Sequence, residues 1–294
     1  MLVLFIILFV SAYVFSLFYL NLKYPEIRWK WEKNRKNIKF PNSFFWGTAT
    51  ASHQVEGGCN NNNWFNWENS KNEEGTPQIK DGQEAGKACD HWNLYSEDID
   101  LIKELGVSHY RFSLEWSKIE PVRGQFNQDA LDHYSTVVDE LIKSKIVPVI
   151  TLHHFTNPIW FDELGGFEIE KNIQIFEDFC EKVFSEYSDR VGIWCTINEP
   201  AVYSVMGYFQ GVFPPGKKNP QLATEVLKNL LVAHTRVYNK LKTLANGSSC
   251  RIGLVKNIMQ FDPYRRWNLL DWMACSFKYA RVQKNGRYRK KKTW

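Results

Sequence analysis

The chain has 294 residues, 44% of them hydrophobic and 23% charged, which excludes a disordered or collagen-like polypeptide and leaves room for one large core. Its net charge of +5 is carried by the ends: eight Lys/Arg lie in residues 278–294 and seven in 23–39, leaving 22 basic and 30 acidic residues in 40–277. An acidic body of that kind argues against a whole-surface nucleic-acid binder.

In chain order, the first feature is an uncharged apolar run, MLVLFIILFVSAYVFSLFYL, at 1–20. Twenty apolar residues suffice to cross a bilayer as a helix. A cleaved signal peptide is the rival; it would have a basic leading region and a small-x-small cleavage site, and this run has neither. The expectation is an uncleaved segment at 1–22, followed by a basic juxtamembrane linker at 23–39. By charge asymmetry the main domain would stay on the cytoplasmic side, with secretion after signal cleavage as the alternative.

From residue 44 strands and helices alternate. Strands are expected at 44–52, 109–116, 147–154, 191–200 and 251–258. Helices are expected at 96–106 with Ser96 as N-cap, 130–145 capped by Asp129, 172–190 and 222–245. Such alternation implies parallel βα units, and the short apolar strands suit a sheet buried on both faces. A doubly wound nucleotide-binding sheet is one option, but no Gly-rich phosphate loop follows any strand. Polar and aromatic residues do follow them: His153-His154-Phe155 after the third, Asn198-Glu199-Pro200 after the fourth. Functional residues at carboxyl ends of strands are characteristic of the TIM (β/α)8 barrel, of which about five βα units are present.

The six cysteines are scattered without a Cys-x-x-Cys pair, so buried free thiols are expected, and neither a metal nor a cofactor is implied. Twelve Trp suit a cleft that holds sugar rings. Glu199, at a strand end beside an amide and held by Pro200, can donate a proton to a glycosidic oxygen; as an isolated pentapeptide, Thr196–Pro200 could equally be a turn and a helix cap.

Four motifs in order change that balance. FFWGTATASHQVEGG at 44–58, Tyr110-Arg111-Phe112-Ser113 with Trp116, Thr151-Leu152-His153-His154-Phe155, and Thr196-Ile197-Asn198-Glu199-Pro200 together resemble the N-terminal part of glycoside hydrolase family 1, over roughly 38–277. The resemblance implies a TIM barrel and retaining hydrolysis of β-linked glycosides or oligosaccharides. It implies that Gln54 and His154 bind sugar hydroxyls, Asn198 contacts the 2-hydroxyl, Arg111 holds the nucleophile's carboxylate ionised, and Glu199 is the acid/base. Neighbouring strand residues face opposite ways, so only one of His153 and His154 should line the site. The family usually has Trp where Phe155 stands.

Retention needs a second carboxylate about 5–5.5 Å from the first. The family's nucleophile is the Glu of a Glu-Asn-Gly triplet, and these 294 residues contain none. Glu68-Asn69-Ser70 falls in the loop after the first strand, and Glu115, two residues beyond Arg111, is a weak substitute. The resemblance fades near Lys278, so the expected organisation is a partial barrel at 40–277 and a basic tail at 278–294. The chain would then be inactive alone, or completed by a second chain, or a non-catalytic membrane-anchored sugar-binding or interaction module.

Overall fold

The computed structural model describes residues 1–25, 39–259 and 261–284. Most of the expected basic linker, 26–38, and of the expected basic tail, 285–294, lies outside them. The chain divides into two compact units, Ser43–Asn257 and the paired ends Met1–Asn42 with Ile258–Trp294.

The larger unit is built on one five-stranded sheet: β1 (Gly47–Ala49), β2 (His109–Ser113), β3 (Val147–His153), β4 (Ile193–Asn198) and β5 (Arg251–Val255). The strands pair in sequence order and all pairs are parallel, as connections through helices require. In chain order the helices are α1 (Leu2–Lys23), α2 (Ser52–Val55), α3 (Asn63–Glu68), α4 (His91–Glu104), α5 (Trp116–Ile119), α6 (Gln128–Lys143), α7 (Ile159–Glu163), α8 (Ile173–Tyr187), α9 (Pro200–Ser204), α10 (Pro220–Thr243) and α11 (Leu269–Lys284). Helices α4, α6, α8 and α10 are the crossovers between successive strands.

The expected elements are present with shifted limits, each for a local reason. The strand expected at 44–52 shrinks to three residues, because Ser52–Val55 already turns as α2. Gly47 is there for close approach: a Cβ would lie 2.7 Å from the His109 carbonyl oxygen. Helix α4 begins five residues before Ser96, whose hydroxyl instead donates to Glu140 at 2.5 Å. Asn127, rather than Asp129, caps α6 by accepting the Ala130 N–H at 3.3 Å. Asn219 caps α10 in the same way, with Pro220 in the first turn, where its missing N–H costs nothing. The second strand stops at Ser113 because Glu115 caps α5.

The core fills the space between sheet and helices. Tyr110, Phe112, Ile150, Leu152 and Trp194 are buried on that face of the sheet. Trp194 meets Phe184 of α8 at 4.9 Å, and Trp116 is enclosed by Phe161, Phe176 and Phe179 at 4.7–5.6 Å.

In the smaller unit, α1 has 22 residues and no buried side chain, and it is long and apolar enough to cross a membrane. A signal sequence has the same properties. α11, which begins in the domain-like stretch 269–280 and runs past Ala280 into the basic stretch without apolar periodicity, completes that unit.

Candidate active site

The register assigns the two faces of the sheet. Arg111, Val149 and Ile193 stand side by side, as do Ser113, Thr151, Cys195 and Gly253 one step further along. Arg111, Val149, Ile193 and Cys195 are half-buried, while the alternate residues Tyr110, Phe112, Ile150 and Trp194 are buried against the helices. These rows correspond to the stacked side-chain layers inside a barrel.

Gln54, His154, Asn198 and Glu199 all lie at the carboxyl ends of these strands. Gln54 sits on α2, exposed, just beyond β1. The start of α2 is fixed to the end of β2: the Ser52 N–H donates to Ser113 Oγ and the Ser52 hydroxyl to Glu115, both at 2.8 Å. His154 follows β3, Asn198 ends β4, and Glu199 is the N-cap of α9.

Strict alternation would turn Asn198 toward the helices, because Thr196 hydrogen-bonds His234 of α10 at 2.7 Å. A β-bulge prevents this. From Cys195 to Asn198, β4 advances three residues against two on β5, from Gly253 to Val255. The extra residue reverses the alternation and returns Asn198 to the face of Cys195. Asn198 is 3% exposed and has no side-chain hydrogen bond among the described residues. Glu199 then adopts φ 44°, ψ 60°, in the left-handed region, pinned by its N–H to the Val255 carbonyl at 2.9 Å. Phe155, after β3, is also left-handed, at φ 73°. Two strained non-glycine residues at neighbouring strand ends are the kind of outlier that accompanies a functional corner.

Electrostatics bind the same residues together. Burial pushes the His154 imidazole down to about 4, and the charge of Arg111 adds to the effect, so His154 is neutral at pH 7. Cys195 is raised by burial and partly offset by Arg111. Among the described residues Arg111 has no carboxylate partner, and its buried Nε lacks a hydrogen bond, as does the buried Nδ1 of His154. Buried polar atoms without partners call for an explanation, and a polar ligand or a further carboxylate at this face supplies one.

His153 does not line the open face. It is 1% exposed, bonded to Asn157 Oδ1 at 2.9 Å and enclosed by Phe167, Phe176 and Tyr203. Glu115 is also structural: fully buried, it accepts hydrogen bonds from Ser52, Asn62 and Ser117. Glu68 is held by His53 at 2.8 Å and by the Ala85 N–H. Neither carboxylate is a free partner for Glu199, and no metal-binding cluster occurs among the described residues.

Sequence reasoning missed an aromatic wall beside these strand ends. Trp64 of α3, Phe155 and Phe213 are half-buried, with Trp64–Phe213 centroids 5.0 Å apart and Phe155–Phe213 6.0 Å apart. Phe155 also approaches Tyr203 of α9 at 6.2 Å. The only signal for Trp64 and Phe213 was the overall Trp and Phe content, since both sit in loops or short helices without periodicity. A cavity of about 630 Å³ lined by Trp92, Lys118 and His133 lies elsewhere and includes none of the five candidate residues.

Comparison with known proteins places this arrangement. The model of glycosyl hydrolase family 1 matches residues 36–285, and the chain belongs to that family. Beta-glucosidase A of Thermotoga maritima is 35% identical over 232 residues, which are 76% of this chain and 50% of that protein. The human cytosolic beta-glucosidase is 38% identical over 214 residues, 70% of this chain and 45% of the relative. Among solved structures, a beta-glycosidase from Pyrococcus horikoshii superposes with a TM-score of 0.74 at 38% identity, covering 84% of this chain and 55% of the other. The Thermotoga maritima beta-glucosidase in complex with castanospermine gives 0.75 at 33%, covering 82% and 54%. The chain thus spans about half the length of the relatives it matches, and its five βα units are part of a TIM barrel.

Proposed function

We propose that this chain supplies the acid/base half of a retaining β-glycosidase site that acts on β-glucosides. The observation that supports it most is the Asn198–Glu199 corner, set by the bulge and strained into place at the end of β4, the strand that pairs with β3, which His154 follows. Glu199 donates a proton to the glycosidic oxygen as the bond to the anomeric carbon breaks, then takes a proton from the water that releases the sugar. Asn198 holds the 2-hydroxyl, and Gln54 and neutral His154 hold more distal hydroxyls. Arg111 keeps the attacking carboxylate ionised. What supports this role is the buried Arg111 Nε, which lacks a hydrogen-bond partner among the described residues. Phe155 and Trp64 provide an apolar wall for the sugar ring and its aglycone.

These 294 residues contain a proton donor but no Glu-Asn-Gly nucleophile, so alone they do not turn over 4-nitrophenyl β-glucoside. General acid catalysis contributes about 10²–10⁴-fold, far short of the 10⁶-fold or more of whole enzymes. A polypeptide carrying the remaining three strands and the nucleophile, supplied in trans, restores turnover. Failure of a docked pair to hydrolyse the substrate, with sugar binding intact, would instead support a sugar-binding module, the reading favoured by the structural hydrogen bonds that occupy Glu68 and Glu115.

The apolar helix α1 is read as an uncleaved single-pass anchor with the main domain on the cytoplasmic side. Its support is the uncharged run and the basic residues that follow it. Sequencing the mature N-terminus tests this: a start beyond residue 20 would mean signal cleavage and secretion.

A further inference from the structure

We propose that residues 264–273 form a second membrane contact, lying in the lipid interface beside the C-terminal half of α1; the inference rests on the reading of α1 as a membrane helix. The segment is attached to α1 by polar contacts along one side. The Tyr13 hydroxyl donates to the Trp267 carbonyl at 3.1 Å, Asn21 Nδ2 donates to the Arg266 carbonyl at 3.1 Å, and Arg266 Nε donates to Asn21 Oδ1 at 2.9 Å. Trp272 faces inward, 6% exposed, against Tyr24 and beneath the Arg266 guanidinium.

Four large apolar side chains of the segment are exposed, one of them, Trp267, with the Arg265 guanidinium 5.6 Å from its ring centroid. Tyr264 is 94% exposed, Trp267 68%, Leu270 70% and Met273 61%. Leu270 and Met273 are three residues apart on α11 and so share a face. The segment that carries these side chains is hydrogen-bonded to α1, none of whose side chains is buried. A soluble surface rarely gathers so many large apolar side chains, and water is the wrong solvent for them.

The depth follows from helix geometry. With residue 20 at the hydrocarbon boundary, Tyr13 lies about 10 Å inside it at 1.5 Å per residue. Asn21, which holds Arg266, lies at the boundary itself. Trp267 therefore sits within the outer ~10 Å of the acyl region and Arg265–Arg266 among the head groups. That is the depth at which amphipathic helices dock and where Trp and Tyr concentrate. Lys23, Tyr19 and Tyr24 mark the same level on α1, with the Lys23 ammonium 5.6 and 5.4 Å from the two ring centroids.

The test uses the full chain in vesicles of phosphatidylcholine and phosphatidylglycerol. A dansyl amino acid replaces, in separate preparations, Leu270, Val10 of α1, or Leu101, which is 61% exposed on α4. Each label is quenched in turn by a spin-labelled phosphatidylcholine and by aqueous iodide. The expected result is that the label at 270 follows the one at 10: quenched by the lipid, and several-fold less sensitive to iodide than the one at 101. Iodide quenching at 270 equal to that at 101, with position 10 still in lipid, overturns the second contact and leaves the anchor standing. Protection of 270 from both quenchers means protein covers that face and also overturns the proposal. Iodide quenching at position 10 rejects the anchor, and the second contact with it.

Discussion

Replacing Glu199 by glycine should stabilise the fold while abolishing the proposed proton donor. Glu199 is held at φ 44°, ψ 60° by the bulged end of β4 and the first turn of α9. A left-handed non-glycine residue costs about 1–2 kcal/mol from contact of its Cβ with the following carbonyl. Glycine escapes that cost but returns about 0.4–1 kcal/mol through its greater freedom in the unfolded chain. Among the described residues the carboxylate has no hydrogen bond to lose, so a net gain of about 0.5–1 kcal/mol is expected from Glu199→Gly. With a urea slope of about 2 kcal/mol per molar, the midpoint should rise by roughly 0.3–0.5 M. The assay is urea unfolding of the detergent-solubilised full chain, followed by tryptophan fluorescence. Glu199→Gln is the control: it removes the charge but keeps the Cβ, and should leave the midpoint unchanged. Equal midpoints for the two variants, or a lower one for glycine, would refute the claim that the backbone here is strained.

Removing the charge of Arg111 with Arg111→Met should raise the His154 titration midpoint above about 4 but leave it below 6.5, because burial is the larger cause; histidine NMR reads this directly. Asp162, pushed up to about 7 chiefly by burial, accepts a hydrogen bond from Asn157 Nδ2 at 2.7 Å, which an amide oxygen can equally accept. Its folded pKa lies above the unfolded value of 3.8, so the native state loses stability as pH rises from about 4 to about 7. The stability of Asp162→Asn relative to the parent should therefore grow across that window and level off above it, as urea midpoints at several pH values would show. Trp116→Ala should cost about 3–5 kcal/mol, since the side chain is 1% exposed among three Phe rings. A loss under 1 kcal/mol would mean the aromatic cluster closes over the gap.

The strands and crossover helices were legible because each carries its period and its stops. Limits were less so: Asp129 and Ser96 were plausible caps, but Asn127 and Asp90 hold those positions in the fold. The strand-end placement of His154, Asn198 and Glu199 could be read from their motifs, and alternation alone says that His153 and His154 cannot both face one side, in keeping with the burial of His153. The β4 bulge could not, because it depends on how far β5 advances alongside, and β5 lies more than 50 residues away. The fate of Glu115 was equally hidden. Its partners Ser52 and Asn62 come from the loop after β1, and only the fold brings them to its carboxylate. The aromatic wall is a non-local assembly from α3 and two loops, invisible to any window on the chain.

The bulge in β4 also sets how this corner tolerates length changes. Thr196 is keyed to a helix through His234, whereas Asn198 is keyed to the opposite face, and one surplus residue separates the two settings. Deleting Ile197 would let β4 and β5 pair evenly and leave Asn198 two residues after Cys195, on the same face by plain alternation. The bulge is thus a place where β4 can lose a residue and keep its two faces, whereas a deletion inside a regular buried strand turns every later side chain to the other face. A deletion scan of residues 195–198, scored in parallel for soluble yield and for sugar binding, should find both readouts best retained when Ile197 is the residue removed.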